Sequence, residues 1–127
     1  MKKRISTDNA PAAIGPYSQG IDTGSLVFVS GQGGRDPKTG FLPDDVVSQA
    51  EQVFKNIGAI LAGGGCTFDD VVKCLVFLKD MNDFAAVNEV YKNYFGAGEV
   101  LPARSCVEVS RLPGDMLVEV EAIAVKG

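Results

Sequence analysis

Histidine is absent from this chain. That excludes Ser–His–Asp and Cys–His nucleophilic catalysis, and most zinc sites, whose ligand sets lean on imidazole. Cysteine is sparse: Cys66, Cys74 and Cys106 are odd in number and widely spaced, with no CxxC pair and no disulfide framework. Without histidine, metal catalysis would need an all-carboxylate site, and no clustered Asp/Glu motif suggests one, so no metal is expected. No apolar run is long enough for a membrane span. The first residues, Met1-Lys-Lys-Arg-Ile-Ser-Thr-Asp8, are basic but lack an apolar segment behind them, so no signal peptide is read and a cytoplasmic protein is expected. Basic clusters are missing beyond Lys2-Lys3-Arg4, and the net charge is −4, which argues against a large nucleic-acid footprint. Whatever chemistry the chain performs must run on Arg, Glu, Tyr, Ser, Cys, backbone groups and water.

What is present suits one globular domain over residues 1–127. The chain is 46% apolar and 22% charged, with no repeat, linker or low-complexity tract, which is enough for a proper core. Arg4–Ser6 reads as a short strand, and the proline-rich stretch Asn9–Pro16 as a loop. Tyr17–Asp22 and Leu26–Ser30 read as strands around the turn Thr23-Gly24-Ser25. Gly31-Gln-Gly-Gly34 marks a place where backbone turns or approaches something closely. It lacks the Lys-Ser/Thr ending of a phosphate loop. From Asp45 to Ala62 the period changes: Val46, Ala50, Val53, Phe54, Ile57, Ile60 and Leu61 fall on one helical stripe, with Asp44 or Asp45 as cap and Gly63-Gly-Gly65 as stop. Val71–Lys79 is a strand. Asp83–Phe95 is a second helix, with Asn82 or Asp83 as cap. Arg104–Arg111 and Met116–Val125 are expected to close the fold as a hairpin-like pair through Pro113-Gly114-Asp115.

This order predicts an α+β fold: a mixed sheet of five or six strands with two helices on one face, parallel neighbours across the helical crossovers, and antiparallel edges. Four strands look apolar on both sides. The face without helices needs a dry cover, and another copy of the chain is the economical one, so an oligomer with sites in clefts between subunits is expected.

Few residues can carry chemistry. Arg104, at a strand start, is either a strand-end charge or structural ion pair, or a two-pronged clamp for a carboxylate or phosphate. Glu119 and Glu121 share the mixed face of the last strand. Either one is exposed and the other salt-bridged, or one of them positions and activates water. Cys106 shares a face with Arg104, but a catalytic thiol needs a base that this chain does not supply as histidine, so it reads as a packing residue whose backbone could line a site. Tyr17 follows a fixed turn, and Ser30-Gly31 ends a central strand.

The stretches Asn9–Gly20, Val29-Ser-Gly-Gln32, Val76–Phe84 and Pro102-Ala-Arg-Ser-Cys-Val-Glu-Val-Ser-Arg-Leu-Pro113 resemble the Rid (reactive intermediate deaminase, YjgF-like) family, RidA subgroup, across essentially the whole chain. The resemblance implies a chorismate-mutase-like six-stranded sheet, a homotrimer with active sites between subunits, and no cofactor. It implies hydrolysis of 2-iminobutanoate or 2-iminopropanoate to a 2-oxo acid and ammonia. Arg104 would bind the substrate carboxylate and Glu119 the attacking water, with Tyr17, Ser30, Gly31, Asn88 and Cys106 lining the pocket. Glu121 then becomes the structural partner. One departure stands out: after Ser30-Gly31-Gln32 the family carries an apolar residue and a proline, whereas this chain has Gly33-Gly34-Arg35, a looser and more cationic loop that bears on substrate size. The competing readings are a ribonuclease, which some relatives are credited with being, and a non-enzymatic trimer that captures small carboxylates or acts as a chaperone-like surface. A binder would need the arginine but not the glutamate.

Overall fold

The computed structural model describes residues 1–96, 98 and 100–127. Six strands form one mixed sheet: β1 (Lys3–Ile5), β2 (Gly20–Asp22), β3 (Leu26–Gln32), β4 (Val71–Leu78), β5 (Ala103–Glu108) and β6 (Val118–Val125). Their spatial order is β1-β2-β3-β6-β4-β5. Two helices, α1 (Val46–Gly63) and α2 (Phe84–Phe95), pack on one face, as the period changes predict.

Helix α1 starts where Asp45 accepts a hydrogen bond from the Ser48 amide at 2.8 Å. It ends at the glycine run, with Gly65 in the left-handed region at φ 76°. Its stripe buries Val53, Phe54, Ile57, Ile60 and Leu61 completely. Each such side chain contributes roughly 1.5–3 kcal/mol of burial. The opposing sheet face supplies Val27, Val29, Cys74, Val76, Leu78, Val118, Val120, Ala122 and Ala124. Phe54, Phe68, Tyr91, Tyr94 and Phe95 join the two helices through ring pairs whose centroids lie 4.4 to 5.9 Å apart.

Three expectations need correction. The last two strands do not form a hairpin: β6 inserts between β3 and β4 and runs antiparallel to both, while β5 pairs in parallel with the far side of β4. Consequently β3 and β4 are not neighbours, and only the α2 crossover joins adjacent parallel strands. The reason is burial. Val118, Val120, Ala122 and Ala124 offer the most continuous small apolar row in the chain, and the sheet centre under α1 is where such a row loses most contact with water. Second, Asp83 stands at the N-cap position of α2 as expected, but its side chain makes no capping hydrogen bond. A short 3-10 turn over Met81–Asp83 precedes it, and Asp80 takes the Asn82 amide at 2.9 Å, so capping moves one turn upstream. Third, strand ends differ from the apolar pattern. β5 stops at Glu108, because β4, its only partner, ends at Leu78. β2 starts only at Gly20, because residues before it are drawn off by Gln19. That side chain accepts from the Thr7 amide at 2.7 Å and donates to the carbonyls of Thr7, Ala10 and Pro11 at 3.0, 3.2 and 2.8 Å.

The face without helices carries Leu26 and Phe28 of β3, Leu75 and Phe77 of β4, Ile123 and Val125 of β6, and Val107 of β5. Glu119, Glu121 and Lys73 lie among them. Phe28 is 40% exposed and Val107 is 41% exposed, so this apolar face is open to water in a single chain.

Candidate active site

Arg104 lies on β5 opposite Cys74, which is fully buried, so its side chain points to the helix side of the sheet edge. Above it runs α2, whose Phe84, Asn88 and Tyr91 fall on one stripe by their spacing of four and three. Arg104 Nη1 donates to Asn88 Oδ1 at 2.7 Å. Its Cζ sits 5.4 Å from the Phe84 ring centroid and 4.8 Å from that of Tyr91. Such contacts fix a guanidinium in plane and favour its charge. No carboxylate pairs with Arg104 among the described residues, so the structural ion pair left open in the sequence is not what holds it. Its remaining N–H groups have no partner among the described residues and can meet a planar anion.

The thiols nearby are not poised as nucleophiles. Burial pushes the Cys74 thiol up to about 11. Burial also raises Cys106, and the charge of Arg104 only partly opposes it. Both remain protonated at neutral pH, which fits the packing role read for Cys106. Tyr91 Oη is buried beside Cys74 with no hydrogen-bond partner of ordinary geometry among the described residues. Burial, and after it the neighbouring Cys74, raises its phenol far above the usual range.

Glu119 stands on the other face of the sheet. It pairs across the ladder with Phe77, whereas the flanking Val118 and Val120 enter the core. Its carboxylate lies directly on the backbone of Gly31: a Cβ there would come within 2.7 Å of Glu119 Oε2. Gly31 occupies an irregular stretch of β3 between Val29 and Gln32, and any side chain there would push the Glu119 carboxylate aside. Neither Glu119 nor Glu121 has a lysine or arginine within ion-pair distance among the described residues, so the expected salt-bridged partner role of Glu121 is not found within the chain. Burial first, and the charge of Glu121 second, raise the Glu119 carboxyl above its ordinary 4.5. A desolvated, unpaired carboxylate of this kind is suited to holding water and accepting its proton.

Glu119 forms part of the wall of a cavity of about 630 Å3 together with Tyr17, Ser30, Gly31, Arg35 and Met116. Buried polar side chains fix its walls. Ser30 Oγ donates to the Ser18 carbonyl at 2.6 Å, next to Tyr17, which is 49% exposed. From α1, Gln49 donates to the Pro43 carbonyl at 2.7 Å and accepts from the Leu117 amide at 2.8 Å, which sets the entry into β6. Asn56 donates to the carbonyls of Gly33 and Arg35 at 3.1 and 3.0 Å.

The residues picked from the sequence thus fall into two groups. Tyr17, Ser30, Gly31 and Glu119 gather around the cavity. Asn88, Arg104 and Cys106 gather on the helix side of β5. The groups occupy opposite faces of the sheet and do not meet within one chain. Phe84, Tyr91, Gln19, Gln49 and Asn56 escaped the sequence reading. Phe84 and Tyr91 fall on the apolar stripe of α2, a pattern that signals packing alone. Gln49 and Asn56 lie at the spacing of the α1 stripe, 49-53-56-60, and polar residues at core positions were the available signal. Among the described residues no group of three His, Cys, Asp or Glu side chains is placed to hold a metal ion, and no helix is long and apolar enough to cross a membrane.

This architecture, a six-stranded mixed sheet backed by two helices, recurs closely in solved structures. Escherichia coli TdcF with bound serine superposes with a TM-score of 0.95 at 50% identity, covering 98% of this chain and 99% of that one. The YjgF gene product of Escherichia coli gives 0.94 at 52% identity, with the same coverage. Residues 7–126 match the family described as endoribonuclease L-PSP, and the chain belongs to this family, in its RidA/YjgF-like branch. The 2-iminobutanoate/2-iminopropanoate deaminase of Salmonella typhimurium is 54% identical over 127 residues, 99% of each chain.

Proposed function

We propose that this chain is a hydrolase that converts the reactive imines 2-iminobutanoate and 2-iminopropanoate to 2-oxo acids and ammonia. The observation that carries the reading is Glu119: half-buried, unpaired by any cation among the described residues, seated on a glycine, and raised in pKa. The names of relatives alike over their whole length support it. Arg104 binds the substrate carboxylate, which places the adjacent C=N carbon beside the water held by Glu119. Water forms the new C–O bond as the C=N π bond opens, and Glu119 takes one water proton and passes it to the nitrogen; it then passes the hydroxyl proton of this carbinolamine to the same nitrogen, so that the C–N bond breaks, ammonia leaves and the C=O bond forms. The imine is electrophilic without further activation.

Because Arg104 and Glu119 lie on opposite faces, we place the working site between copies: Arg104, Asn88 and Cys106 from one, Tyr17, Ser30, Gly31 and Glu119 from the next. A homotrimer supplies three such sites and covers the open apolar face. A substrate that decays in water must be met where pyridoxal-phosphate dehydratases release it, which places the protein in the cytosol. The family's descriptive name raises an RNA-cleaving alternative. A net charge of −4 and a cavity walled by two glutamates and one arginine suit a phosphate backbone poorly.

The test is imine loss, followed in a coupled threonine dehydratase assay. Acceleration by the wild-type chain and its disappearance in Arg104→Ala are expected; full activity in that variant would overturn the clamp. The shared site is tested by mixing. Arg104→Ala and Glu119→Gln chains, unfolded and refolded together in equal amounts, should recover roughly one quarter of wild-type activity if each site draws on two copies of a closed ring. No recovery, or a monomer in sedimentation equilibrium, would overturn that assembly.

A further inference from the structure

The Gly33-Gly34-Arg35 segment follows β3 and contributes Gly33 and Arg35 to the cavity wall. Its glycines contribute no side chain: a Cβ at Gly34 would lie 2.6 Å from the backbone of Gln49, and one at Gly33 would have to displace the Met116 side chain. The first side chain the segment presents is therefore Arg35. Asn56 fixes it from below by binding the carbonyls of Gly33 and Arg35. Arg35 Nη1 donates to the Gly40 carbonyl at 2.7 Å, and its other guanidinium N–H groups have no partner among the described residues.

Arg35 is the only cation among the described residues that line the cavity, and Glu119 and Glu121 are its anions. A guanidinium serving to neutralise them would sit within ion-pair distance, and it does not. Nor does its charge relieve Glu119, whose pKa responds to burial and to Glu121 alone. The cavity is therefore polarised: acidic beneath Glu119 and cationic at the Arg35 end. A second negative group on a substrate would be repelled at the first end and bound at the second, where a fixed fork with free donors awaits a planar anion.

We propose that Arg35 is a second anion-binding point, which selects 2-imino acids bearing a distal carboxylate, such as the imines of aspartate and glutamate. The inference rests on the imine-hydrolase reading above and names the substrate class of that same site. The test compares imines generated in place by flavin amino-acid oxidases from alanine and from glutamate, trapped as semicarbazones, with wild-type and Arg35→Met protein. The wild type should accelerate hydrolysis of both. In Arg35→Met, the ratio of glutamate-derived to alanine-derived imine turnover should fall roughly ten- to a hundredfold, as expected when one charged hydrogen-bonding partner is lost. Arg35→Lys should restore part of it. An unchanged ratio, or a wild type that handles only the alanine-derived imine, would overturn the proposal and leave the hydrolase reading standing. Calorimetric binding of 2-oxoglutarate against 2-oxobutanoate separates the two ideas. If no imine is hydrolysed but 2-oxoglutarate binds more tightly in an Arg35-dependent way, the hydrolase reading fails and the anion point survives. Equal binding of the two acids would overturn the anion point.

Discussion

Arg104 and Glu119 are held in opposite ways. Arg104 is enclosed by α2, with a hydrogen bond donated to Asn88 and two aromatic rings at 4.8 and 5.4 Å. Glu119 has no such enclosure. It rests on bare backbone at Gly31, faces a cavity, and has another carboxylate two residues away. A group that only binds gains from being locked, since every fixed contact lowers the entropy lost when ligand arrives. A group that must take and return a proton is better left unpaired, because an ion pair would lower its basicity.

The contrast can be broken from either side. The largest effect is expected from Arg104→Ala, which should lower kcat/KM for imine hydrolysis by about a thousandfold or more, since a charged partner of the substrate is lost. Glu119→Gln should lower kcat by roughly a hundredfold with little change in KM, the pattern of a lost proton acceptor. The same variant sharpens the comparison through stability. A carboxyl whose pKa is raised by folding favours the folded state when protonated and disfavours it as pH rises through the folded value. Glu119→Gln should therefore melt higher than wild type at neutral pH, and the difference should vanish as pH falls below the ordinary glutamate value of 4.5. A lower melting point at neutral pH would mean that Glu119 has a stabilising partner after all.

Smaller effects probe the supports. Gly31→Ala places a methyl within 2.7 Å of the Glu119 carboxylate and should reduce kcat roughly tenfold or more by displacing it, while the chain still folds. Tyr91→Leu should raise KM several-fold to about tenfold by removing a ring from Arg104, with kcat affected less. Tyr91→Phe keeps the ring and deletes a buried hydroxyl that lacks a partner, so KM should hold and denaturant stability should rise by about 1 kcal/mol.

Much of this was legible in the residue order. The helices were, because Val53, Phe54, Ile57, Ile60 and Leu61 can share one side only at helical spacing, and Asp45 stands where a cap is needed. The split of β6 into an apolar face and a face bearing Glu119 and Glu121 also followed from alternation. Strand neighbours were not legible. Alternation says which way a side chain points but not which strand lies beside it, so adjacency in sequence suggested a hairpin where β4 in fact intervenes. That error hid the site's division. As a hairpin, the strands that carry Arg104 and Glu119 would have been adjacent; with β4 between them and the two side chains on opposite faces, they are not. The partners of the polar supports were illegible for another reason: Gln19, Gln49 and Asn56 act on backbone carbonyls and amides, which carry no sequence signature.

The position of β6 has a consequence for how the chain comes into being. It is the last of the six strands to be synthesised, yet it joins the β1-β2-β3 meander to β4 and β5. Until it emerges from the ribosome, the two parts of the sheet have no ladder between them, and α1 lacks the central strand on which it packs. A nascent chain of this kind waits with its apolar surfaces unmated, and its sheet assembles late through contacts distant in sequence. Interrupting translation just short of Val118 should leave a chaperone substrate rather than a smaller folded domain.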